Sequence, residues 1–436
     1  MLRPHIVIVG AGFGGTYTAK KLVRLVKKGA IDLTIVNKTN YFLFTPLLHE
    51  VATGALGPRS VAEPLREVFA GTGARIVQGE TVSIDRAARS IVVDSGGERH
   101  SLEYDYLVIA TGAEANYYGI RGAKENALPL KSLADAVLIR DRVIGAFEKA
   151  VVESDPEKRT PFLSFAVVGG GPTGVEAAAE LAELVDGIVR RYYGRAHCRP
   201  DDPRHCELGE PSITLVHAGA ELLEMFDPRL RLAAAGKLRR EGVVIETKAS
   251  VTEVSREGLS LADGRAIAAR TVIWTAGVKA VIPPFAGGEP PMAGGRLAVD
   301  EHFNLEGDQR VFVLGDAAAY VGPAERAAGA GGAKPLPQLA QAAQGEAAVV
   351  AANVVAAIKG RPLKAFSYRS KGSMVSVGQW FAIGEIYSLD IAGRLTWWLW
   401  RTVYLFKFLS WRKRVRIALE WAFELISPRD ITTIEG

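Results

Sequence analysis

Two stretches of the chain repeat the same succession of apolar and polar segments. Residues 5–9, HIVIV, form an apolar run that ends at a glycine-rich turn; a helical pattern then continues to about Lys28, and IDLTIV forms a second apolar run. FLSFAVVGGGPTGVEAAAELAEL and PSITLV repeat this order further along. Short apolar runs between glycines are typical of buried strands, and strands that alternate with helices pair in parallel. The pattern therefore predicts an α/β fold with an internal duplication.

Three later apolar runs complete the two predicted sheets. YDYLVIATGA (104–113) continues the first copy, TVIWTAG (271–277) has the same place in the second, and RVFVLGDAAA (310–319) returns to the first. The second copy is therefore inserted into the first. We predict a nucleotide-binding domain in two parts, an inserted nucleotide-binding domain, a helical connection between them and a C-terminal segment. In chain order the boundaries are 1–130 (first part), 131–160 (connection), 161–295 (inserted domain), 296–365 (second part) and 366–436 (C-terminal segment).

Each copy has a glycine-rich motif between its first strand and the following helix. The first motif is Gly10-Ala11-Gly12-Phe13-Gly14-Gly15, and the second is Gly169-Gly170-Gly171-Pro172-Thr173-Gly174. In a G-x-G-x-x-G motif the first glycine permits a tight turn, the second leaves room for a pyrophosphate, and the third lets helix and strand pack closely. The helix N-terminus then directs N–H groups at the phosphates. Two such motifs predict two Rossmann-type domains and two dinucleotides, one held permanently and one visiting.

Composition and charge exclude several functional classes. With 436 residues, of which 48% are apolar and 23% charged, the chain has the composition of a globular protein with a large core. A net charge of +5 is too small for a dedicated nucleic-acid binder, and no nucleic-acid-binding motif occurs. No apolar run has the length of about 20 residues that a transmembrane helix needs. No signal peptide is expected before the first strand.

Cysteine chemistry and a bound metal are not expected. The chain has two cysteines, Cys198 and Cys206, and lacks the CxxC pair of disulphide reductases. Each follows a histidine, His197 or His205, within the polar insertion 194–211, but this spacing fits no standard zinc site. We therefore predict a solvated loop without a metal.

Several segments resemble known flavoproteins. The glycine motifs, the ATGA and TAG turns and Asp316 resemble the two-dinucleotide-binding-domain flavoproteins, the glutathione-reductase-like superfamily, over about residues 1–360. Three segments resemble the type II NADH:quinone oxidoreductases within that superfamily: NYFLFTPLLHEVATGAL (40–56), PLPQLAQAAQGEAA (335–348) and the end of the tail, ISPRDITTIEG. The resemblance implies FAD in the N-terminal domain, NADH in the inserted domain, a membrane quinone as acceptor, and a homodimer.

The motifs and the resemblance together assign residues to the sites. The segment 335–348 contains Gln338, Gln341 and Gln344, but its spacing differs from the family's by one residue and leaves open which glutamine faces the quinone; we favour Gln341 as a catalytic residue. The predicted cofactor-binding residues are Gly10, Gly12, Phe13, Gly14, Gly15, Asn37, Lys38, Pro46, Val82, Thr111, Gly112, Gly169, Gly171, Pro172, Thr173, Gly174, Glu176, His217, Gly277, Gly315, Asp316, Ala340 and Gln341.

Two positions depart from the superfamily's pattern. The acidic residue that normally ends the second strand and binds ribose hydroxyls is Asn37 in the first copy and His217 in the second. Asn37 still donates and accepts hydrogen bonds, so we expect FAD binding to survive. A carboxylate at the position of His217 would repel the 2′-phosphate of NADPH. Because this carboxylate is absent, discrimination against NADPH should fall. We predict NADH as the main donor and leave NADPH use open.

Glu176 is the predicted proton-transferring residue. It lies two residues after Gly174 on the first turn of the second motif's helix, and the resemblance places the matching glutamate between nicotinamide and flavin. Quinone reduction consumes two protons and hydride transfer brings one, so a buried carboxyl with a raised pKa is suited to supply the other. The alternative is that Glu176 only stabilises its helix N-terminus. Glu180 and Glu183 are expected on the helix surface.

The C-terminal segment combines aromatic and basic residues. A bilayer-spanning helix in LTWWLWRTVYLFKFLSWRKRVRIALEWAFELIS would bury Arg401 and Lys407, at roughly 2.5–3.5 kcal/mol each. We predict instead that the segment lies flat on a membrane, with tryptophans at the headgroup boundary and cations facing anionic lipid. These residues are Trp397, Trp398, Trp400 and Trp411, and Arg401, Lys407, Arg412, Lys413, Arg414 and Arg416.

The second half of this segment has helical apolar spacing. Its apolar residues are Val415, Ala418, Leu419, Ala422, Phe423 and Ile426. This spacing is typical of an amphipathic helix that rests in the membrane interface. The alternatives are a dimer interface and a helix that packs on the core.

These observations predict FAD-dependent oxidation of NADH with reduction of a membrane quinone, without proton pumping. The resemblance and the tail place the protein on the cytoplasmic face of the inner or plasma membrane, as a peripheral (monotopic) protein at the lipid bilayer surface. The alternatives are a soluble NAD(P)H:ferredoxin-type reductase and a non-catalytic redox-sensing flavoprotein. The tail argues against the first, and NADH turnover with a quinone analogue distinguishes the second.

Overall fold

The structure, a computed structural model, describes residues 3–193, 209–322, 335–387 and 389–433. The chain divides into two compact units. The first consists of Met1–Leu43, Glu63–Glu114 and Val278–Ser370, and the second of Phe44–Ala62, Ala115–Gly277 and Lys371–Gly436. Each unit contains one parallel sheet of the predicted kind, so the predicted α/β fold with two dinucleotide-binding plans is confirmed.

A six-stranded sheet forms the centre of the first unit. Its strands, in spatial order, are Asn304–Leu305, Asp308–Val313, Tyr106–Ile109, His5–Val9, Asp32–Asn37 and Arg75–Gln78. The central strand His5–Val9 is parallel to both neighbours, and its residues Ile6, Val7 and Ile8 are fully buried. Such burial is typical of a parallel strand that is covered on both faces. Asp308–Val313 pairs with Tyr106–Ile109, which confirms that the chain returns to the first sheet.

Helices and smaller sheets complete the first unit. The helix after the first glycine turn, Phe13–Lys27, packs against Ala340–Ile358. The unit also contains the helix Leu65–Val68 and the 3₁₀ turn Gly315–Ala317. A four-stranded sheet contains Phe285–Ala286, Glu80–Asp85, Ser90–Ser95 and Glu98–Glu103, and a three-stranded sheet contains Met292–Ala293, Arg296–Ala298 and Ala318–Ala319. Tyr41–Leu43 and Val278–Ala280 are further short strands.

A five-stranded parallel sheet forms the centre of the second unit. Its strands, in spatial order, are Leu128–Pro129, Thr271–Trp274, Ser164–Val168, Ser212–Val216 and Val243–Glu246. Ser164–Val168 is buried along its whole length and is parallel to both neighbours. Thr271–Trp274 has the place beside it that Tyr106–Ile109 has in the first sheet. The two sheets therefore share one strand plan, which confirms the internal duplication.

The second unit also contains most of the helices. They are Leu48–Ala52, Ala123–Asn126, Leu133–Val152, Pro156–Leu163, Pro172–Ile188, Pro228–Arg240, Arg394–Lys407 and Trp411–Glu424, with the 3₁₀ turn Thr45–Leu47 and the π-helical turn Val189–Tyr193. One antiparallel sheet contains Val251–Val254, Gly258–Leu261 and Ala266–Ala268, and another contains Ser373–Ser376, Ala382–Ile386 and Leu389–Gly393. The short strands Ala62–Pro64 and Ala113–Ala115 lie at sequence boundaries between the units.

The compact units group the chain differently from the predicted five parts. The first unit resumes at Val278, before the predicted boundary at 295, and the second unit combines 44–62 with the inserted copy and the C-terminal segment. Aromatic packing explains part of this grouping, because the Phe44 and Phe408 rings lie 4.3 Å apart between centroids. The five-part functional division stays a prediction.

Three residues of the first C-terminal helix do not face lipid as predicted. Trp397, Trp400 and Arg401 are only 1%, 0% and 4% exposed. The Arg401 guanidinium lies 4.0 Å from the Trp397 ring centroid and 2.8 Å from a carboxylate oxygen of Glu424, so a protein anion and an aromatic face compensate its burial. That part of the prediction is wrong, and the alternative of packing on the core applies to this helix. Among the described residues, no helix combines the length and apolarity needed to cross a bilayer.

Candidate active site

The first glycine turn has an open space over its middle glycine. Gly10 has φ +94°, and a Cβ there would lie 2.3 Å from the Ala110 carbonyl oxygen. A Cβ at Gly15 would lie 1.8 Å from the Gly10 oxygen, so strand and helix pack too closely for any side chain. Gly12, by contrast, has nothing within 4 Å of its Cβ position and precedes the helix Phe13–Lys27. This geometry fits a pyrophosphate at the helix N-terminus.

Asn37 binds the turn itself. Its Oδ1 accepts a hydrogen bond from the Ala11 N–H at 2.8 Å, and its Nδ2 donates to the Thr39 carbonyl at 2.9 Å. The amide oxygen thus orders the turn as a carboxylate oxygen would, and the amide NH₂ group orders the loop that follows. Because both ends of the side chain are engaged, Asn37 stabilises the fold of this site directly.

A second loop of the first unit is built around Asp316. Gly315 has φ +69° at the start of the 3₁₀ turn Gly315–Ala317, and its N–H donates to Glu346 Oε2 at 2.6 Å. Gln338 Nε2 donates to the Asp316 carbonyl at 3.2 Å. Burial raises the pKa of Glu346 to about 7, Asp316 adds to the rise, and the Gly315 N–H opposes it. Glu346 therefore positions the loop that carries Asp316.

The predicted quinone-side glutamines lie in the same unit in different settings. Gln338 precedes the helix Ala340–Ile358, and its amide binds the aspartate loop. Gln341, in the helix's first turn, accepts a hydrogen bond from the Tyr368 hydroxyl at 3.1 Å. Gln344 is half-buried one turn further on. The structure thus brings Gln341 together with Tyr368, which the sequence did not single out.

The other predicted cofactor-binding residues belong partly to the first unit and partly to the second. Thr111 Oγ1 donates to the Val281 carbonyl at 2.5 Å, next to the open Gly112. Lys38 pairs with Glu80 at 3.1 Å, and Lys38 and Val82 line one shallow cavity. Gly14, Ala340 and Gly315 also belong to the first unit, whereas Pro46 lies in the 3₁₀ turn Thr45–Leu47 of the second.

The second glycine turn repeats the geometry of the first. Gly169 has φ +123°, and a Cβ at Gly174 would lie 1.8 Å from the Gly169 oxygen. Gly171 has nothing within 4 Å of its Cβ position and precedes the helix Pro172–Ile188, of which Thr173 is the second residue. The Thr275 hydroxyl, two residues before Gly277, donates to the Val168 carbonyl at 2.9 Å. A second dinucleotide therefore fits this turn by the same physical argument.

His217 takes the place of the acidic residue in the second turn. Its Nδ1 accepts a hydrogen bond from the Gly170 N–H at 3.1 Å, as Asn37 does from Ala11 in the first copy. The ring fits closely between two glycines, because a Cβ at Gly170 or Gly219 would lie 2.6 Å from it. His217 is therefore packed into the turn, and it places no carboxylate near the position expected for a ribose.

Glu176 is buried between two elements that the sequence alone did not bring together. Its Oε1 accepts the Ser376 N–H at 3.3 Å, and its Oε2 lies 3.6 Å from His49 Nδ1. Burial raises the pKa of Glu176 well above its usual range, the Ser376 N–H opposes the rise, and Glu50 adds to it. Burial, with Arg429, lowers the pKa of His49 to about 3. His49 is thus neutral near pH 7, so its contact with Glu176 is not an ion pair.

A carboxyl–arginine cluster extends from Glu176 through the second unit. Arg429 Nη2 lies 2.6 Å from Glu180, 2.9 Å from Glu183 and 3.0 Å from Glu424. Glu424 also binds Arg401. The prediction that Glu180 and Glu183 lie on the helix surface is wrong, because the C-terminal segment supplies Arg429 and covers them. Sequence periodicity could not reveal this partner, which is about 250 residues away along the chain.

Glu50 completes the cluster. It is 2% exposed and accepts a hydrogen bond from Trp421 Nε1 at 2.6 Å. Burial raises the pKa of Glu50 to about 8 against the effect of Arg401. Burial and the neighbouring Glu180 likewise raise the pKa of Glu183 to about 8, against the effect of Arg429. Five carboxyl groups thus face two guanidinium groups, and three of the five have raised pKa values.

The acidic side chains of this cluster do not indicate a metal site. Glu180, Glu183 and Glu424 place carboxylate oxygens within 4.8 Å of one another. The cation among them is the Arg429 guanidinium, which contacts all three. The histidines and cysteines of the predicted solvated loop, at 197–198 and 205–206, lie outside the described residues.

Four further candidate functional residues were not predicted, because the sequence around them gives only weak indications of their role. His49 and Glu50 lie inside the segment 40–56 that carried the family resemblance, yet nothing in their spacing indicated burial. Arg429 follows the last helix in an irregular stretch, and Glu346 is one of several polar residues in an alanine-rich helix. The structure places Glu176 and Gln341, the two predicted catalytic residues, in different compact units.

Matches to two protein families together cover nearly the whole chain. The pyridine nucleotide-disulphide oxidoreductase family matches residues 4–347, and the NDH2 C-terminal domain matches residues 370–430. The type II NADH:quinone oxidoreductase Ndh of Mycobacterium tuberculosis is 32% identical over 98% of this chain and 89% of that protein. The mitochondrial internal alternative NAD(P)H-ubiquinone oxidoreductase A1 of Arabidopsis thaliana is 31% identical over 99% of this chain and 86% of that protein.

Comparison with solved structures gives the same fold. The structure of NDH2 from Plasmodium falciparum in complex with NADH superposes with a TM-score of 0.87, and covers 99% of this chain and 100% of that chain at 21% identity. The sulfide:quinone oxidoreductase from Aquifex aeolicus superposes with a TM-score of 0.69 over 97% and 95% of the two chains at 18% identity. At these identities the likeness establishes the fold.

Proposed function

The chain belongs to the type II NADH:quinone oxidoreductases, and from this premise we propose that it uses bound FAD to oxidise NADH and reduce a membrane quinone to quinol, without pumping protons. The observation that carries the proposal is the pair of glycine turns, each open at its middle glycine and closed at the other two. One turn would hold FAD and the other NADH. FAD, when bound, supplies the redox centre that takes two electrons from NADH and returns them to the quinone.

The overall reaction needs one proton from solvent. It is NADH + H⁺ + quinone → NAD⁺ + quinol, in which the hydride brings two electrons and one proton. Glu176 is suited to hold the second proton, because burial raises the pKa of its carboxyl and so favours the protonated form. Because burial disfavours the charged form of Glu176, this residue is poorly suited to the alternative role of an anion at the helix N-terminus.

NADH is the proposed main donor. Because His217 holds the turn through Gly170, it leaves the ribose position without the carboxylate that repels a 2′-phosphate. Some use of NADPH is therefore expected beside NADH. The ratio of the two kcat/KM values measures this preference, and a ratio that strongly favours NADPH contradicts the assignment.

Gln341 is the proposed quinone-side residue of the first unit. The Tyr368 hydroxyl donates a hydrogen bond to Gln341 Oε1, so this bond orients the amide without using its NH₂ group. An amide N–H is a suitable donor to a quinone carbonyl. The homodimer that the family resemblance implies stays a prediction.

Steady-state turnover tests the proposal. The FAD-loaded protein should oxidise NADH when a menaquinone or ubiquinone analogue is added, with quinol as the product. Ferredoxin reduction without quinone reduction would support the soluble-reductase alternative, and flavin binding without any turnover would support the sensor.

The second C-terminal helix is the proposed membrane contact. Along Trp411–Glu424 the apolar side chains of Val415, Leu419 and Phe423 are exposed, and Ile426 continues their row. Arg412 and Arg416 are exposed on the same helix. An apolar row beside basic residues is the arrangement of a helix that lies in the interface of an anionic membrane. We place the protein as a peripheral protein on the cytoplasmic face of the inner or plasma membrane.

The double variant Leu419→Glu/Phe423→Glu should lose most of its binding to vesicles of phosphatidylcholine and anionic phosphatidylglycerol. Burial of each side chain is worth about 1.5–3 kcal/mol, so partitioning should fall by more than about tenfold for each. Vesicle co-sedimentation measures the change. Leu232→Glu, which alters another exposed leucine, on the helix Pro228–Arg240, is the matched control. Undiminished binding by the double variant would remove this helix as the contact.

A further inference from the structure

Three glutamates form a row along one helix of the second unit. Glu176, Glu180 and Glu183 have the spacing i, i+4 and i+7 on the helix Pro172–Ile188, so they share one face. At a rise of 1.5 Å per residue the row is about 10 Å long. Its first member lies on the first turn after the dinucleotide motif, and its last member lies about two turns further from it. We call these three residues the carboxyl row.

The far end of the carboxyl row opens into a cavity. The cavity has a volume of about 350 Å³ and is lined by Glu183, Gln379, Glu424 and Arg429. The exposed residues Ser427 and Pro428 also line it, so the cavity communicates with solvent. Glu183 Oε1 accepts the Gln379 N–H, and its other oxygen contacts Arg429. Glu183 is therefore the member of the row that solvent reaches.

The middle of the row is close enough for proton exchange. Oxygen atoms of Glu180, Glu183 and Glu424 lie within 4.8 Å of one another. Arg429 contacts all three and fixes their carboxyl groups toward a common point. A small side-chain rotation or one intervening water bridges such a distance. A proton on Glu183 can therefore pass to Glu180.

The inner end of the row lies against further proton-binding groups. Glu176 contacts His49, whose Nε2 has no hydrogen-bond partner among the described residues although His49 is 2% exposed. A buried polar atom of this kind is normally satisfied by protein or ordered water. The charges of Glu50 and Glu180 both help to raise the pKa of Glu176, and the charge of Glu180 also helps to raise the pKa of Glu50. The row thus continues into a polar interior beside the second glycine turn's helix.

The charge balance argues against a purely structural cluster. Two guanidinium groups, those of Arg401 and Arg429, face the carboxyl row together with Glu50 and Glu424. A cluster that only stabilises the fold needs one anion for each cation, and every additional buried carboxyl lowers the stability of the fold. Burial raises the pKa of Glu50, Glu176 and Glu183. Burial thus favours the protonated form of all three groups, and a relay requires groups that can hold a proton.

We propose that the solvent proton of each turnover is taken up at Glu183 and passes along the carboxyl row through Glu180 to Glu176. This inference rests on the proposed function, whose reaction NADH + H⁺ + quinone → NAD⁺ + quinol needs that one proton. No covalent bond of the protein changes. Glu183 gives its proton inward and regains one from the cavity, and Arg429 positions the carboxyls. Glu183 and Glu180 act through Glu176, so they are positioning and relay residues.

Glu183→Gln tests the relay in single-turnover and steady-state experiments on the FAD-loaded protein. Reduction of the flavin by NADH without quinone should stay within about twofold of the wild-type rate, because the hydride brings its own proton. Quinone-dependent turnover should fall by about tenfold or more at pH 8, since relayed acid catalysis commonly contributes at least this factor. The solvent isotope effect on turnover should rise. Glu183→Asp, which keeps the acid, should retain most activity.

A matched control lies in the same cavity. Glu241 lines the cavity but pairs with Lys237 and stands outside the carboxyl row. Glu241→Gln should leave turnover, isotope effect and pH profile unchanged. Equal loss in both variants would show that the cavity's charge, and not the row, governs the rate.

A second readout does not depend on turnover. The Glu183 carboxyl has a raised pKa of about 8 in the folded protein, and the unfolded chain titrates near the ordinary value of about 4.3. The folded state thus binds the proton more tightly, so this group stabilises the fold least at high pH. The Tm of Glu183→Gln should therefore fall less than the wild-type Tm between about pH 6 and pH 9. The charged groups around Glu183 are Glu180, Asp186, Lys237, Glu241, Glu424 and Arg429.

The outcomes separate the relay from the proposed function. A wild-type protein without NADH:quinone turnover would refute the proposed function. Wild-type turnover together with unchanged turnover and pH profile in Glu183→Gln would refute the relay alone. If Glu183→Gln does not fold, wild-type turnover supplies the test, since its quinone-dependent rate should decline as pH rises through about 8. A rate that stays constant through that range overturns the relay.

Discussion

Arg429→Ala should lower the free energy of unfolding by about 3–5 kcal/mol, because it removes a guanidinium that contacts Glu180, Glu183 and Glu424 together. The guanidinium is 9% exposed and also donates to the Glu180 carbonyl at 3.0 Å. Carboxyl groups left without it must take up protons or remain charged in a dry interior. Urea-induced unfolding followed by tryptophan fluorescence measures the loss.

The loss should grow with pH. Burial raises the pKa of Glu183 to about 8, so this carboxyl ionises as pH rises through that value and then depends more on the Arg429 cation. Arg416→Ala is the matched control in the same segment: Arg416 is half-exposed and pairs with Glu420 at 2.7 Å. An exposed pair of this kind is worth about 0–1 kcal/mol. A loss in Arg429→Ala no larger than in Arg416→Ala would show that the cluster does not stabilise the second unit.

Gly12→Val should abolish stable FAD binding without destabilising the fold. Nothing lies within 4 Å of the Gly12 Cβ position, so the new side chain finds room in the protein but occupies the space expected for the pyrophosphate. Flavin affinity should fall by about a hundredfold or more, equivalent to roughly 3 kcal/mol. Flavin absorbance after gel filtration measures binding, and circular dichroism checks the fold.

A second glycine provides the control for this variant. Gly236, on the helix Pro228–Arg240, also has nothing within 4 Å of its Cβ position. Gly236→Val should keep its flavin. If Gly12→Val keeps its flavin as well, the pyrophosphate does not lie over this glycine, and the assignment of FAD to the first turn is wrong.

The sequence predicted those features that depend on neighbouring residues. The run HIVIV and its glycine turn imply a strand, a close helix and an open phosphate space from local sterics alone, and the geometry at Gly10 and Gly15 bears this out. The same reasoning placed the second turn and the return of RVFVLGDAAA to the first sheet. Asn37 and His217 could be identified as replacements because the strand before each of them ends at a fixed position.

Features that depend on distant partners were not predictable in this way. Glu180 and Glu183 have the spacing of a polar helix face, and only the return of Arg429 from the end of the chain buries them. Trp397 and Trp400 were predicted at the membrane interface because a helix that contains tryptophans and cations is compatible with lipid. The same residues are also compatible with a protein core in which Glu424 pairs with Arg401. Composition cannot distinguish these two environments, and tertiary packing decides between them.

Anaerobic single-turnover spectroscopy tests the central claim most directly. The FAD-loaded protein is mixed with one equivalent of NADH and then with a menaquinone or ubiquinone analogue while the flavin absorbance is recorded. The oxidised-flavin band should disappear with NADH and return fully with the quinone, and quinol should form in proportion to the NADH consumed. A protein that binds no flavin, or whose NADH-reduced flavin is not reoxidised by any quinone, contradicts this claim.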